Sequence, residues 1–511
     1  MRIYKLIYIL YKIRMLSPLA FLRLTTAMYR YGINLMALLD FSTSTYREKI
    51  ALVDEKETLT YLQLFAQSEA LSVVLRERYQ LASGKKVGLL CKNHASLVKA
   101  IFAVSYSGAD LYLLNVEMSE GQLNTILKRH DFDLLIYDEE RSAWLEHSSD
   151  TKAKLLSYHD TLPAINNLQS SSHCGKRKRH RASSGRLVLL TGGTTGHAKE
   201  AVHKPSLFQY LDPFYAFVNR LKILNHRTAY ITTPIYHGYG LAVLLLFGAL
   251  GKKVVIQRGF DAEKACRLIR EHQVEVVTVV PLMLHKMLRT NVDDLKSLAC
   301  IASGGAELSP KLVKETLTQL GEVLYNLYGT SEAGLNMIAT PQDLARYPNT
   351  IGRKIKGGAL KIMSDEKKEA EIGQVGQFCF KNRWSMRNSA KAWIETGDLG
   401  YRNEQGYYFL CGRADSMIVS AGENVYPLEV EQILLTHPRV EDAAVIGIQD
   451  EYFGQRLKAV VVLAPQAGMS KEELLEWLRS RVARFQMPNE IIFVDQLPYT
   501  PLGKLDKKLL N

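Results

Sequence analysis

The sequence has few cysteines, and their spacing matches no common cysteine motif. No Cys-x-x-Cys pair occurs, which argues against a zinc knuckle and a disulfide framework and favours reduced thiols in a cytoplasmic setting. The six cysteines are scattered along the chain: Cys91, Cys174, Cys266, Cys300, Cys379 and Cys411.

The first 39 residues contain no acidic residue and no apolar run long enough to span a bilayer. The first acid is Asp40, and a spanning helix needs ~20 consecutive apolar residues. Lys12 and Arg14 interrupt the apolar region, so a signal peptide fits poorly. We expect residues 1–39 to form a basic amphipathic segment on an anionic membrane surface, with an ordinary docked helix as the alternative. The basic residues of this segment are Arg2, Lys5, Lys12, Arg14, Arg23 and Arg30.

The chain is long and carries a net positive charge. A chain of 511 residues exceeds what one hydrophobic core supports, so two or more domains are expected. The formal net charge of +13 favours anionic partners such as nucleotides or acidic lipid surfaces. The basic run GKRKRHRASSGR at 175–186 is interpreted as a solvated linker, because neither aromatic interleaving nor zinc spacing supports nucleic-acid readout. No nucleic-acid partner is therefore expected.

Apolar runs rich in β-branched residues alternate with helical patterns over most of the chain. Such alternation predicts parallel sheets with helices on their faces. The predicted strands lie at 86–91, 133–138, 186–191, 252–257 and 274–281, with helices such as 96–108 and 261–272 between them.

The pattern changes near residue 412. A strand, a Gly-Arg turn, a second strand and a glycine loop precede a helix that starts near Pro427. The remaining α+β pattern of about a hundred residues is enough for a small independent domain. We place the domain boundary at Gly412–Ser416.

The stretch LVLLTGGTTGHAKEAV at 187–202 interrupts a run of aliphatic residues with hydroxylated residues, glycines and a lysine. Such a backbone closes on an anion, and the lysine adds a point charge, so the stretch predicts a phosphate-binding loop. Lys199 comes three residues after Gly196, which is too late for a Walker A loop. The adjacent Gly192 and Gly193 do not supply the Gly-x-Gly of the dinucleotide fingerprint.

Four further motifs follow this loop in a specific order. They are LYNLYGTSEAG at 324–334, WIETGDLG at 393–400 with Asp398 predicted on a turn, GRADSMIVSAGENVYPLEVE at 412–431, and LPYTPLGKLDKK at 497–508. Each motif is weak alone. Together with the loop at Thr191 they resemble the adenylate-forming superfamily of acyl- and aryl-CoA synthetases, adenylation domains and beetle luciferases. The resemblance extends from about residue 40 to the end.

The resemblance implies an α/β fold in two parts and a reaction in two steps. The large N-terminal domain would span residues 40–412 with parallel sheets flanked by helices, followed by a hinge at 413–415 and a small mobile α+β lid domain at 416–511. Catalysis would require ATP, Mg²⁺ and CoA. The carboxylate would attack the α-phosphate of ATP, and the hinge would then rotate the lid so that a thiol can enter.

The resemblance also implies roles for individual residues that bind ATP. Gly304, Gly305 and Ala306 would line the adenine and acyl pocket, and Tyr328, followed by Gly329, would stack on adenine. The β- and γ-phosphates of ATP would be held by Thr191, Gly192, Gly193, Thr194, Thr195, Gly196 and Lys199.

The remaining implied roles concern the reacting groups and the lid. Ser331 would hydrogen-bond the α-phosphate, Glu332 would bind Mg²⁺, and Asp398 would hold the ribose hydroxyls. Lys504 would be the catalytic lysine, which reaches the carboxylate and the α-phosphate in the first step. Three other residues would act with these: Arg413 beside Asp398, Asp415 as the hinge and Gly422 in the turn that meets pantetheine.

Two departures from the family pattern occur near the predicted site. The phosphate loop ends Ala198-Lys199-Glu200, where relatives have Pro-Lys-Gly. The segment before Trp393 lacks the usual Gly-Tyr and Pro-Glu signals and is short. Neither departure removes a group that takes part in the chemistry.

The segment 232–251, TTPIYHGYGLAVLLLFGALG, corresponds to the family's acyl-pocket helix. It contains no acid to pair with an α-ammonium group, which disfavours amino-acid substrates. Its aliphatic residues suit a fatty acyl chain or are ordinary core. His237 is either a gate to the acyl tunnel or a structural histidine.

We therefore expect a cytoplasmic acyl-CoA synthetase for a medium- or long-chain fatty acid, with peripheral membrane association as a further expectation. The loop SAGENVYPLEVE favours thioester formation with CoA. The first alternative is a stand-alone acyl-AMP ligase that loads a carrier protein. The second is a non-catalytic protein that binds nucleotide and membrane.

Overall fold

The structure, a computed structural model, divides into two compact units. Unit 1 comprises Met1–Thr278 with Asp293–Cys300, and unit 2 comprises Val279–Val292 with Ile301–Asn511. The structure describes residues 7–8, 11, 17–146, 151–168, 185–191, 199–203, 211–364, 366–385, 392–420, 423–450, 454–500 and 503–510.

The helices of unit 1 include the two that the sequence predicts at 96–108 and 261–272. In chain order they are α1 Pro18–Tyr31, α2 Leu35–Tyr46, α3 Tyr61–Tyr79, α4 Ala95–Ser107, α5 Glu120–His130, α6 Ser142–Glu146, α7 Leu211–Arg220, α8 Gly238–Ala249 and α9 Ala262–His272. No helix among the described residues is long and apolar enough to cross a membrane.

The strands of unit 1 include all five that the aliphatic runs predict. They are β1 Ile50–Val53, β2 Thr58–Thr60, β3 Lys86–Leu90, β4 Asp110–Leu113, β5 Leu134–Tyr137, β6 Lys154–Leu156, β7 Leu187–Thr191, β8 Lys199–His203, β9 Thr228–Ile231, β10 Lys253–Ile256 and β11 Val276–Val279.

The sheets of unit 1 are mostly parallel, as predicted. One sheet has the order β6-β5-β3-β4-β7-β8, and another has β2, β1, β10, β9 and β11 side by side. Antiparallel pairing is confined to the edges, where β8 pairs with β7 and β2 pairs with β1. Helix α4, which lies between β3 and β4, is buried on every side. Its single charge, Lys99, is paired with Glu57 at 2.7 Å, as a buried cation requires.

Unit 2 contains the remaining elements. Its helices are α10 Pro281–Thr290, α11 Pro310–Leu320, α12 Pro341–Arg346, α13 Pro427–Leu434 and α14 Lys471–Arg479. Its strands are β12 Cys300–Gly304, β13 Leu324–Thr330, β14 Gly334–Ala339, β15 Thr350–Lys354, β16 Ala359–Met363, β17 Gly376–Lys381, β18 Ile394–Arg402, β19 Tyr408–Arg413, β20 Ile418–Ser420, β21 Glu423–Val425, β22 Val440–Asp450, β23 Gly454–Leu463 and β24 Pro488–Phe493.

The prediction of parallel sheets is wrong for the first part of unit 2. Strands β12 and β13 are parallel, but from β13 onward the order β13-β14-β15-β19-β18-β17-β16 is antiparallel throughout. The reason is the length of the connections. Strands joined by turns as short as 331–333 must pair antiparallel, because a parallel pair needs a crossover of a dozen or more residues.

The C-terminal part of unit 2 is the predicted α+β arrangement. Strands β21, β20, β23 and β22 form a sheet to which β24 adds in parallel with β23. Helices α13 and α14 cover it, and their apolar residues, such as Val430 and Leu474, are fully buried against the sheet. The five described cysteines are all buried free thiols, as expected for a reduced chain.

Candidate active site

The predicted phosphate loop connects the two antiparallel strands at one edge of a unit 1 sheet. Strand β7 ends at Thr191 and β8 begins at Lys199, and these two residues face each other across the ladder. The backbone of the loop is therefore closed at its neck, as a tight anion-binding loop requires. The predicted residues Gly192, Gly193, Thr194, Thr195 and Gly196 lie outside the described residues.

The predicted acyl-pocket helix packs beside the strand that enters this loop. A methyl group placed on Gly238, the first residue of α8, would lie only 3.1 Å from the Leu189 side chain in β7. A methyl group on Gly240 would collide with the carbonyl oxygen of Pro234. The two glycines therefore allow the start of α8 to approach closely, and they bring the half-buried His237 to the same end of unit 1 as the phosphate loop.

The predicted nucleotide residues Tyr328, Asp398 and Arg413 form one hydrogen-bonded cluster in unit 2. The Tyr328 hydroxyl donates to Asp398 Oδ2 at 2.6 Å, and Arg413 Nη1 donates to Asp398 Oδ1 at 3.2 Å. Arg413 also binds both carboxylate oxygens of Asp415, at 3.0 and 3.2 Å. One guanidinium therefore joins the predicted ribose carboxylate to the predicted hinge carboxylate.

Burial and charge act in opposite directions on these groups. Burial raises the pKa of Asp398, although the hydrogen bonds from Tyr328 and Arg413 lower it. Burial also raises the pKa of Tyr328 well above its ordinary value, so its hydroxyl remains a donor. The hydrogen bonds from Arg413 lower the pKa of Asp415. Arg413 thus favours the ionised form of both carboxylates, although at Asp398 burial outweighs it and the pKa stays raised.

The prediction that Asp398 lies on a turn is wrong. Asp398 lies within β18 and faces Arg413 of β19 in the ladder. The strand continues because Gly397 adopts a φ of +76° and a register shift follows at Leu399–Gly400, so the backbone bends without leaving the sheet. Thr396, which the sequence analysis did not single out, accepts a hydrogen bond from the Asp398 amide at 3.1 Å. Its position in the WIETGDLG motif was the sequence signal that could have identified it as part of the site.

Ser331 and Glu332 lie in the tight turn between β13 and β14. Ser331 is exposed and Glu332 half-buried, so both are open to a ligand. The turn needs glycine at its base, because a methyl group on Gly329 would lie 2.5 Å from the Gly334 carbonyl oxygen.

Two residues missed by the sequence analysis hold this turn in place. Asn382 Nδ2 donates to the Ala333 carbonyl at 2.8 Å. Trp384 Nε1 donates to the Leu335 carbonyl at 2.8 Å, and its ring covers Gly334. Both belong to the segment before Trp393 that departs from the family pattern. That departure was the only signal in the sequence, and it did not indicate a contact with a turn 49 residues away.

The predicted catalytic lysine lies close to the predicted adenine and acyl pocket. Lys504 is exposed and follows Gly503, whose amide donates to the Thr500 carbonyl at 2.8 Å in a tight turn. A methyl group on Gly503 would lie 2.6 Å from Val280 Cγ2, and one on Gly305 would lie 3.6 Å from Val280 Cγ1. Val280 therefore lies beside both glycines, and Lys504 directly follows one of them in the chain.

Polar contacts hold the lid strand β22 against helices α10 and α11 in unit 2. Glu441 Oε1 lies 3.4 Å from His285 Nε2 and 3.5 Å from Arg289 Nη2, and Lys311 Nζ donates to the Val440 carbonyl at 2.6 Å. Partly exposed pairs of this kind contribute about 1 kcal/mol or less each. Contacts this weak are compatible with the predicted mobility of the lid. Gly422, the residue predicted to meet pantetheine, lies outside the described residues.

A buried group of Cys91, His94 and Asp138 in unit 1 has the composition of a metal site. Its donors are already occupied, however. His94 Nδ1 accepts from the Leu97 amide and Nε2 donates to Asp138, whose oxygens also accept from Ser157 and the Lys92 amide. Burial alone would raise the pKa of Asp138, but the hydrogen bonds from His94, Ser157 and the Lys92 amide lower it overall. The group stabilises the start of α4 and offers no ligand to a metal ion.

Family models match both parts of the chain. The model described as AMP-binding enzyme matches residues 39–388, and the one described as AMP-binding enzyme C-terminal domain matches residues 429–504. The chain belongs to the AMP-binding enzyme family.

The relatives are ligases. The chain is 28% identical to a 2-succinylbenzoate–CoA ligase of Bacillus licheniformis over 90% of this chain and 95% of that protein. It is 30% identical to the fatty acid–[acyl-carrier-protein] ligase ScoC of Streptomyces coeruleorubidus over 90% of this chain and 92% of that protein. The solved o-succinylbenzoate CoA synthetase of Bacillus subtilis superposes with a TM-score of 0.79 at 24% identity, covering 93% of this chain and 97% of that one. That superposition shows a shared fold.

These comparisons confirm the predicted superfamily, the two-part fold and the class of an AMP-forming acid–thiol ligase. The names of the relatives include CoA, and one Bacillus subtilis structure is a complex with ATP and magnesium ion, the cofactors that the sequence predicts. The roles of individual residues, the domain boundaries at 39/40, 412/413 and 415/416, the fatty-acid substrate and the membrane association stay predictions.

Proposed function

We propose that this protein joins an apolar monocarboxylic acid, a medium- or long-chain fatty acid, to CoA through an acyl-adenylate. The observation that supports the proposal is that Val280 lies beside both Gly305, in the predicted adenine and acyl pocket, and Gly503, the residue that precedes Lys504. A lysine at that position supplies the cation that a carboxylate needs when it approaches the anionic α-phosphate.

In the first step, an oxygen of the acid attacks the α-phosphorus of ATP, and pyrophosphate leaves. Lys504 stabilises the charge that develops between acid and phosphate, and Ser331 donates to an α-phosphate oxygen. Asp398 accepts the ribose hydroxyls while Tyr328 and Arg413 hold its carboxylate in place. The product is the acyl-adenylate.

Glu332 is the residue that would hold Mg²⁺. Its half-buried carboxylate on a tight turn suits a cation that keeps several waters and takes only one or two protein oxygens. When bound, the ion neutralises phosphate charge and aids pyrophosphate departure.

In the second step, the thiol sulfur of CoA attacks the acyl carbon, AMP leaves, and the thiol proton passes to solvent. Lys504 must withdraw first, because it occupies the approach to the acyl carbon. Asp415 lies where the chain passes from β19 to β20, and rotation there would remove the lysine. The weak contacts of Glu441 with α10 are consistent with such a release.

The choice of an apolar acid rests on the segment that includes α8. Residues 228–251 contain no Lys, Arg, Asp or Glu. A second carboxylate in this part of the pocket would lose its hydration without gaining a cation, which is costly. The aliphatic α8 instead matches an acyl chain, and His237 at its start would gate the entry.

A second candidate is suggested by the relatives. Several are 2-succinylbenzoate–CoA ligases, which act on an aromatic acid, and ScoC loads a carrier protein. The first name suggests a different acid substrate for this chain, and the second suggests a different thiol acceptor. One assay distinguishes both possibilities from the proposal.

The deciding experiment measures AMP and pyrophosphate from purified full-length protein with ATP and Mg²⁺. The acids are octanoate, palmitate, benzoate and 2-succinylbenzoate, each with no thiol, with CoA or with a phosphopantetheinylated carrier protein. We expect CoA-dependent AMP formation that is greatest with a fatty acid and is lost in Lys504→Ala. A maximum with 2-succinylbenzoate, or turnover with the carrier alone, would replace the proposal with the second candidate. No turnover with any acid would favour a non-catalytic nucleotide-binding protein.

A further inference from the structure

Exposed apolar side chains are concentrated near the start of the chain. Of the fourteen large apolar side chains that the described residues expose, seven lie between residues 7 and 33. Scattered exposed apolar residues are ordinary, but a cluster marks an interaction surface. The seven are Ile7, Tyr11, Leu19, Phe21, Leu22, Tyr29 and Ile33.

Helix α1 turns its apolar face away from the protein. Its inner face is docked, because Ala27 and Tyr31 are buried and the Tyr31 hydroxyl donates to Glu69 at 3.0 Å. Its outer face carries Leu22, which is 61% exposed, and Tyr29, which is 76% exposed, seven residues and two turns apart. A surface helix ordinarily shows the reverse arrangement, with its polar face outward.

The helix has firm ends, so this orientation is built into the fold. Ser17 caps its start by accepting from the Ala20 amide at 3.2 Å, Pro18 occupies the first position, and Gly32 ends it. With only 14 residues it is too short to span a bilayer but long enough to lie in the interface.

Positive charge accompanies the apolar face. Residues 1–39 carry six basic residues and no acid. Arg30 is exposed in the last turn of α1, and Arg23 is partly exposed one turn after Leu19. Neither arginine forms an ion pair with another residue in the described part of the chain. Arg23 Nη1 donates a hydrogen bond to Thr45 Oγ1 at 3.4 Å, which leaves its other N–H groups and the exposed Arg30 to bind lipid phosphates.

We propose that the outer face of α1 is a docking surface for an anionic lipid bilayer. Leu19, Phe21 and Leu22 insert among the acyl chains, while Arg23 and Arg30 meet the headgroup phosphates. The combination of aliphatic insertion and positive charge fits a membrane surface, because a nucleic acid would be contacted by charge without exposed leucines. Bound in this way, the protein lies at the lipid surface into which apolar acids partition.

The test is co-sedimentation of the full-length protein with vesicles, without ATP or acid. One vesicle preparation is phosphatidylcholine alone, and the other contains about one-third phosphatidylglycerol. We expect binding to the anionic vesicles only. The double variant Phe21→Ser, Leu22→Ser lowers that binding by about tenfold or more, since two apolar side chains are lost from the interface. Because no substrate is present, the result is independent of the proposed ligase activity.

Matched controls separate the surface from general effects. Leu162→Ser changes a leucine that is 53% exposed elsewhere in unit 1 and should bind vesicles like the wild type. Arg30→Gln should lower binding to anionic vesicles about fivefold. Lys128→Gln, which changes an exposed base in the last turn of another helix, should leave it unchanged. Arg30→Gln also tests the proposal if the double variant fails to fold.

Three results would overturn the proposal. The first is no binding to either vesicle, and the second is equal loss in the α1 variants and their controls. The third is a dimer in sedimentation velocity that Leu22→Ser converts to a monomer without any vesicle binding. That last result would assign the face to a second copy of this chain.

Discussion

Replacing Gly503 by alanine tests whether Val280 positions Lys504, the predicted catalytic lysine. Gly503 has a φ of +70°, which costs a residue with a Cβ about 1–2 kcal/mol. The new methyl group would also lie 2.6 Å from Val280 Cγ2, so the turn must shift away from α10. Overpacking of this kind costs about 1–3 kcal/mol more.

The expected consequence is selective for adenylation. A shift of about 1 Å in a reacting group reduces rate by about 10²-fold. We therefore expect single-turnover pyrophosphate release to slow by about that factor in Gly503→Ala. Release of AMP from preformed acyl-AMP and CoA should change little, because we propose that Lys504 acts only in the first step.

The chain offers a control with the same backbone cost and no clash. Gly373, in the same unit, has a φ of +85°, and a methyl group placed on it meets nothing within 4 Å. Gly373→Ala should lower stability to thermal unfolding without slowing adenylation. Adding Val280→Ala to Gly503→Ala should restore much of the lost rate. If Gly503→Ala adenylates as fast as Gly373→Ala, Val280 does not position Lys504.

Three other predictions concern the same unit. Burial raises the pKa of Asp398, and only the ionised carboxylate would accept both ribose hydroxyls, so KM for ATP should rise as pH falls, beginning above the ordinary pKa range of an aspartate. Asp398→Asn should abolish this pH dependence. If the variant keeps the same profile, the pH dependence belongs to another group. Glu441→Gln removes the carboxylate charge that faces His285 and Arg289, so adenylation should slow by about threefold to fivefold while thioesterification is unchanged, as stopped-flow assays of each step would show. Lys504→Ala should reduce adenylation by ~10²–10³-fold and spare thioesterification of preformed acyl-AMP; equal loss in both steps would contradict the domain rotation.

Much of the fold could be predicted because it depends on local patterns. Runs such as 86–91 and 252–257 are aliphatic enough to predict buried strands without knowing their neighbours, and β3 and β10 lie there. The turn after Tyr328 and the helix at Pro427 also carry local signals, proline and glycine among them.

The rest depends on contacts between distant segments, which a single sequence does not reveal. Gly397 is typical of a turn, and only the pairing of Asp398 with Arg413 of β19 keeps Asp398 within a strand. Asn382 and Trp384 act on a turn far earlier in the chain, and Val280 lies against Gly503 at the other end of unit 2. Residue type alone marks none of these three as part of the site.

The shared guanidinium of Arg413 has a thermodynamic consequence. It binds Asp398 and Asp415 at once, so a rotation about Asp415 that strains one set of hydrogen bonds alters the other. Linkage is reciprocal: if nucleotide at Asp398 shifts the equilibrium between lid orientations by some factor, the lid shifts nucleotide affinity by the same factor. AMP would then be held tightly in one orientation and weakly in the other, and the release of product would be governed by a residue that touches both carboxylates.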